Sequence, residues 1–255
     1  MACGRYVYGL GVMALGLLCL VWGVFDPGQP VPMDFPARTV LAYAAAAFML
    51  VAGAAVVWRR SAAWGAAALA AYYALVVVIL MNGREVLGHD AAFITYSNLA
   101  EQLAIAAGGL IVFATSAGID AARTARLARL GRLAFGLCAL LFGGAHFFYM
   151  NLTAPLVPRW LPPTQTFWAC ATGIGQIAAG VAILTGVQAR LAAILLTAMY
   201  ASFAVLVWVP MLLAGPSHHW IWSENALNLA LTGVAWVVAD SLAGRGGHPD
   251  RIAAG

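Results

Sequence analysis

Charge is scarce in this chain. Only 9% of its 255 residues are Asp, Glu, Lys or Arg, against roughly 25% in an ordinary soluble domain. Lysine is missing altogether, so every basic residue is an arginine. So few polar side chains cannot cover a globule of this size, which excludes a water-soluble fold and leaves the bilayer as solvent. Cysteine is sparse too: Cys3, Cys19, Cys138 and Cys170 form no CxxC pair. A Cys19–Cys170 pairing is conceivable from their similar depth, while buried cysteine ordinarily behaves as a small hydrophobe. No cofactor motif is present, and no nucleophile and base stand at a recognisable spacing.

What the chain does have is apolar length. It is 64% hydrophobic with a mean hydropathy of +0.89. Eight stretches reach the roughly 20 residues that a hydrocarbon core demands. They lie near residues 6–25, 38–58, 62–82, 98–118, 132–151, 166–187, 190–213 and 222–240. An all-α integral membrane protein with eight transmembrane helices is therefore expected. Arg5 ahead of the first stretch gives it the look of a signal peptide, but no small-x-small cleavage site follows, so this span is expected to be retained.

The chain also repeats itself at a constant offset of 127 residues. Gly4-Arg5, Gly9-Leu10 and Gly16 return as Gly131-Arg132, Gly136-Leu137 and Gly143, and Pro36, Gly53, Tyr73 and Asn98 return as Pro163, Gly180, Tyr200 and Asn225. Ten arginines fall on one side of the expected spans, against Arg38, Arg84 and Arg159 on the other. The positive-inside rule then places both termini in the cytoplasm. Four spans per half make the halves parallel four-helix repeats about an axis along the membrane normal. The expected organisation is a first repeat at 1–117, a basic cytoplasmic connector at 118–131, a second repeat at 132–243 and a short flexible tail at 244–255. Arg123, Arg126, Arg129 and Arg132 give the connector a short helix with one basic stripe, suited to anionic headgroups. The net charge of +4 thus concerns topology and lipid, and nucleic acid is not an expected partner.

Polar residues gather toward the expected outer face. The first half contributes Asn82, Arg84, Glu85, His89, Asp90, Tyr96, Asn98 and Glu101. The second adds His146, Tyr149, Asn151, Arg159, Trp160, Gln165, His218, His219, Trp220, Trp222, Glu224, Asn225 and Asn228. Asn98 with Glu101 reads as an N-cap with its N3 partner, and Asn225 stands at the equivalent place. Trp160, Trp220 and Trp222 read as an interfacial aromatic belt. Gln176 is the deepest strongly polar side chain, and an unpaired amide in hydrocarbon costs on the order of a few kcal/mol, so it must face the bundle interior. His146 reads either as a histidine bonded to a neighbouring helix or as a ligand-binding or proton-transferring imidazole. Haem ligation by His146 with His218 or His219 is geometrically open, although adjacent loop histidines lack helical spacing. Repeat symmetry breaks where Cys19 faces His146 and Met49 faces Gln176, which points to the second half as the functional one.

Several second-half residues carry a resemblance. Arg132, Gly136, Gly143 and His146-Phe147 begin it. Val157-Pro-Arg-Trp-Leu-Pro-Pro163, Thr172-Gly173 with Gln176 and Gly180, and Arg190 with Ala192-Ala193 and Met199 continue it. Together they resemble the DoxX-like family of four-helix membrane proteins over about residues 130–243. The likeness extends weakly to 4–117 through the repeat. Family members often carry glutamate where this chain has Gln176. The resemblance implies a quinone-linked or thiol and oxidative-stress redox membrane subunit in a bacterial cytoplasmic (inner) membrane. Its expected partners are the lipid bilayer, a lipid-soluble small molecule such as quinone, and a partner redox protein. The candidate ligand contacts are His146, Gln176, Trp160, Trp168, Glu224 and Asn228, with no metal site expected. A non-enzymatic carrier or assembly partner is the alternative.

Overall fold

A computed structural model describes residues 3–88, 92–215 and 217–243. Its described residues form helices and connections without a strand. Eight helices are long and apolar enough to cross a bilayer: α1 Cys3–Trp22, α2 Arg38–Val57, α3 Ala62–Val86, α4 Phe93–Ser116, α5 Ala121–Phe148, α6 Gln165–Thr185, α7 Ala189–Ala214 and α8 His219–Leu242. The protein is a multi-pass membrane protein. Arg245, Arg251 and the expected tail lie outside the described residues, as do His89 and Asp90.

Sequential helices are neighbours, α1 closes against α8, and α4 crosses to α8 through the centre. The central pair is the most buried. Small residues set the approach distances, because packing contact rather than water exclusion holds helices together in lipid. A Cβ at Gly9 would lie 3.0 Å from the Gly53 carbonyl, and one at Gly136 would lie 3.3 Å from that of Gly180. Gly16 meets the Ala46 carbonyl in the same way, at 3.0 Å, and Gly143 that of Gly173, at 2.6 Å. Each second contact is the first displaced by 127 residues. The Gly4 N–H donates to Asp240 Oδ2 at 3.3 Å, so the start of α1 and the end of α8 share one end of the bundle. The opposite end is called distal below.

Three expectations change. The basic stretch 118–131 is not a separate helix: Asp120 caps the Arg123 N–H at 2.9 Å and α5 then runs unbroken to Phe148. Nor is there one basic stripe. Three residues turn an α-helix through about 300°, so a spacing of three drifts around the axis. Arg123, Arg126 and Arg129 are exposed, whereas Arg132 is buried with Nη1 at 3.4 Å from both the Ser241 carbonyl and hydroxyl. Neither Asn98 nor Asn225 is a cap. Their helices begin at Phe93 and His219, which puts both asparagines a turn or more inside. Asn225 Nδ2 instead donates to the carbonyls of Trp208, at 3.0 Å, and Ile221, at 2.9 Å.

Two spans loosen into π-helix, Tyr72–Asn82 in α3 and Ala204–Trp208 in α7. Such widened turns free carbonyls and recur at functional sites. The Trp208 carbonyl that Asn225 supplies belongs to the second of them. All four cysteines are free thiols, so Cys19 and Cys170 do not pair.

Candidate functional site

A cavity of about 1040 Å³ opens among α4, α5, α6, α7 and α8 toward the distal end. Helical periodicity aims the side chains. Trp168, Thr172 and Gln176 stand four residues apart on α6, and Trp220, Glu224 and Asn228 do the same on α8, so each set lines one face. Ser97 and Glu101 of α4, His146 of α5, and Met199, Tyr200 and Phe203 of α7 add polar and aromatic lining, as do Tyr149, Thr153 and Trp208. Most of the rest is apolar. Ser202 at the α7 rim is exposed on the bundle surface, and so are Leu152 and Trp220 at the distal mouth.

His146 is held at three points. Its Nδ1 lies 3.0 Å from the Ala169 carbonyl and 3.3 Å from Thr172 Oγ, while Nε2 lies 3.1 Å from Gln176 Nε2. A carbonyl can only accept, so Nδ1 carries the hydrogen and Nε2 accepts from the Gln176 amide. The Thr172 hydroxyl donates to the Trp168 carbonyl at 2.8 Å, leaving its lone pairs to His146. Gly173 makes this possible, since a Cβ there would sit 2.8 Å from His146 Cβ. Gln176 spends its N–H on the imidazole, and its Oε1 is buried without a partner. Across the cavity Asn228 Nδ2 donates to the Tyr200 carbonyl at 2.9 Å, and the Tyr200 hydroxyl is likewise buried and unpartnered. Glu101 and Glu224 both line the wall, and among the described residues no arginine comes within ion-pair distance of either.

Five of the six expected contacts, His146, Gln176, Trp168, Glu224 and Asn228, therefore share one cavity. Trp160 does not. Its ring is 70% exposed and lines a shallower groove beside Pro210 and Met211. The histidines are not brought together either: His218 is exposed, and His219 stacks on Trp22 with ring centroids 4.8 Å apart. Arg84 and Glu85 form an exposed ion pair at 3.8 Å, away from the cavity.

Polar depth is not confined to the second half, contrary to the sequence expectation. The loop between α1 and α2 turns inward and buries Phe25, Asp26 and Gln29. Asp26 accepts from Ser223 Oγ of α8 and, at 2.9 Å, from the Gly28 N–H. Burial holds its carboxyl above the usual carboxylate range, against the opposing pull of the Ser223 and Gly28 donors and of nearby His219. Gln29 Oε1 accepts from the Tyr72 hydroxyl at 3.0 Å, and its Nε2 donates to Met49 Sδ at 3.5 Å. Tyr73 donates to the same sulfur at 3.2 Å. Asn82 Nδ2 fastens the loop by donating to the Gly28 carbonyl at 3.1 Å. The run Asp26-Pro27-Gly28-Gln29-Pro30 reads as an ordinary surface turn, and the available signal was Tyr72, a hydroxyl in the middle of an apolar span.

The comparisons fall on the half that holds the cavity. A family model described as a domain of unknown function, DUF8561, matches residues 133–239. The matched segment takes in the latter part of α5, all of α6 and α7 and most of α8, and so includes every second-half cavity residue named above. No curated protein and no solved structure matches the chain.

Proposed function

We propose that this chain takes up a lipid-soluble small molecule of the quinone class in the α4–α8 cavity, as a DoxX-like redox subunit of a bacterial inner membrane. In this reading the molecule is two parallel four-helix repeats with both termini cytoplasmic. The distal end then faces outward. The arginine distribution supports that orientation, and the recurrence of glycine contacts at the 127-residue offset supports the repeat.

One observation carries the functional reading. A cavity of about 1040 Å³, apolar over most of its wall, presents a few fixed polar groups on two opposed faces. That is the ordinary construction of a site for an apolar ligand with a polar end. His146, Gln176 and Thr172 form one face; Glu101, Glu224 and Asn228 form the other. Trp168, Trp208 and Trp220 supply flat aromatic surface for a ring. The exposed rim at Ser202 offers a route from the lipid.

Those three tryptophans also supply the assay. Titrating the purified protein with a decyl-tailed benzoquinone should quench tryptophan fluorescence saturably, and His146→Ala should weaken the binding several-fold. Quenching that never saturates, or that His146→Ala leaves unchanged, would remove the quinone reading. A carrier or assembly-partner role is the second reading, and a specific observation favours it: both nitrogens of His146 are engaged inside the protein. An imidazole so occupied positions a ligand better than it moves a proton. Quinone binding without quinone-dependent electron transfer in membranes containing the full chain would select that role.

A further inference from the structure

The first half shows what the second-half cavity is shaped to hold. At the offset of 127 residues, Met49, Tyr72 and Tyr73 correspond to Gln176, Met199 and Tyr200. In the first half the carboxamide of Gln29 accepts from Tyr72 at 3.0 Å and donates to Met49 at 3.5 Å, and Tyr73 donates to the same Met49 sulfur at 3.2 Å. In the second half the corresponding trio lines open space. The reason is local. The connection after α5 folds into a turn of helix, Met150–Thr153, and a 3-10 turn, Ala154–Leu156, fastened by Gln165 Nε2 donating to the carbonyls of Val157 and Pro155. It contributes Leu156, Val157 and Leu161 to the lining, and no amide.

A second observation is independent of the repeat. Gln176 and Tyr200 are 2% and 3% exposed, and the Gln176 carbonyl and the Tyr200 hydroxyl are both buried without a hydrogen-bond partner. Native interiors rarely leave such groups unpaired. One needs a donor, and the other offers a donor and needs little else.

We infer that the ligand's polar end is a hydroxyl seated against Gln176, Met199 and Tyr200, where the first half seats its own Gln29 carboxamide. A hydroxyl donates to Gln176 Oε1 while its lone pair accepts from Tyr200. A quinone carbonyl only accepts, so it leaves Gln176 Oε1 unpaired in apolar surroundings. The site is therefore selective for the hydroquinone form over the quinone, and for any apolar alcohol that reaches the same wall. This inference rests on the proposed reading of the cavity as a ligand site, and narrows it.

The test uses the purified chain and three probes of matched tail: a decyl-tailed benzoquinone, the same molecule reduced to the hydroquinone under anaerobic conditions, and 1-decanol. Calorimetric titration should give hydroquinone binding on the order of tenfold tighter than quinone, the consequence of one orphaned acceptor. Decanol should compete with the hydroquinone. Gln176→Met places at 176 the residue that the first half already accommodates at 49, and should bring the two redox forms to within about twofold. Tyr200→Phe removes a donor that both redox forms accept from, so it should weaken both by a similar factor and leave the preference in place; Gln176→Leu carries the test should Gln176→Met fold poorly. Equal or tighter quinone binding, or a preference unmoved by the Gln176 variants, overturns the hydroxyl assignment while leaving the cavity as a quinone site. Failure of all three probes to bind overturns both.

Discussion

Gly143 is the position at which packing and site chemistry can be tested together. A Cβ added there would lie 2.6 Å from the Gly173 carbonyl oxygen, 2.6 Å from Ile177 Cγ1 and 2.9 Å from the Ile177 nitrogen. Two of the three are backbone atoms, so a rotamer change cannot relieve the crowding. Ordinary contact begins near 3.4 Å, so α5 and α6 must part by about 0.8 Å in Gly143→Ala. His146 sits one turn further along the same seam. Its 3.0 Å bond to the Ala169 carbonyl would stretch to about 3.8 Å, beyond hydrogen-bond range. Overpacking costs about 1–3 kcal/mol, and each bond lost adds about 1 kcal/mol. Alanine's better helix propensity returns about 1 kcal/mol. The net is a destabilisation of about 1–3 kcal/mol, or a fall of roughly 2–12 °C in the midpoint of thermal unfolding in detergent. Gly175→Ala is the control: its Cβ meets only Met199 Sδ, at 3.9 Å, so it should be neutral or slightly stabilising. Imidazole nitrogen shifts of ¹⁵N-histidine-labelled protein should move for His146 in Gly143→Ala and stay put in Gly175→Ala. Equal unfolding midpoints for the two variants, with an unmoved His146 signal, would refute the close-approach reasoning.

Asp26 should make stability depend on pH. Its folded-state pKa is raised by burial, so the contribution of the protonated form is complete below the unfolded value of about 4 and is lost as pH rises through the higher folded value. Wild type should therefore lose thermal stability relative to Asp26→Asn as pH rises above the unfolded value; parallel curves would show that Asp26 is not the group responsible. Asn225→Leu removes the donor to the π-helical Trp208 carbonyl and should cost about 1–3 kcal/mol, measurable as a lower unfolding midpoint, with no loss expected from an asparagine that merely faced solvent. Trp160→Ala should leave quinone affinity within about twofold, because Trp160 lies outside the cavity, and a larger loss would mean that the cavity boundary is drawn wrongly.

The spans were legible because the bilayer imposes one rule on all of them. Length and hydropathy suffice to find eight helices, and the ends drift where charge or capping competes with apolarity. Thus α5 begins at Ala121 rather than near 132, since Asp120 can cap a helix that starts in the arginine-rich stretch. Gln176 was legible as inward-facing because an amide in hydrocarbon has few alternatives, and His146 because it breaks the repeat. Trp160 lies outside the cavity that holds the other five expected contacts, a difference hidden in sequence because interfacial and cavity tryptophans look alike there. Asp26 and Gln29 were hidden for the opposite reason. Their turn has the composition of a solvated loop, and its burial depends on partners far away in sequence, Tyr72, Asn82 and Ser223. Periodicity carries no information about such contacts.

The central claim is that the second-half cavity is built to be occupied by an apolar molecule with a polar end. Native mass spectrometry of the full chain purified from its own membranes, compared with Ala198→Trp, tests it most directly. Ala198 lines the cavity, and an indole there would fill part of it. The account predicts one tightly held small apolar molecule per chain, distinct from bulk phospholipid and lost in Ala198→Trp while the variant still folds. A wild-type chain that carries no such molecule, or an identical bound mass in the folded variant, would contradict it.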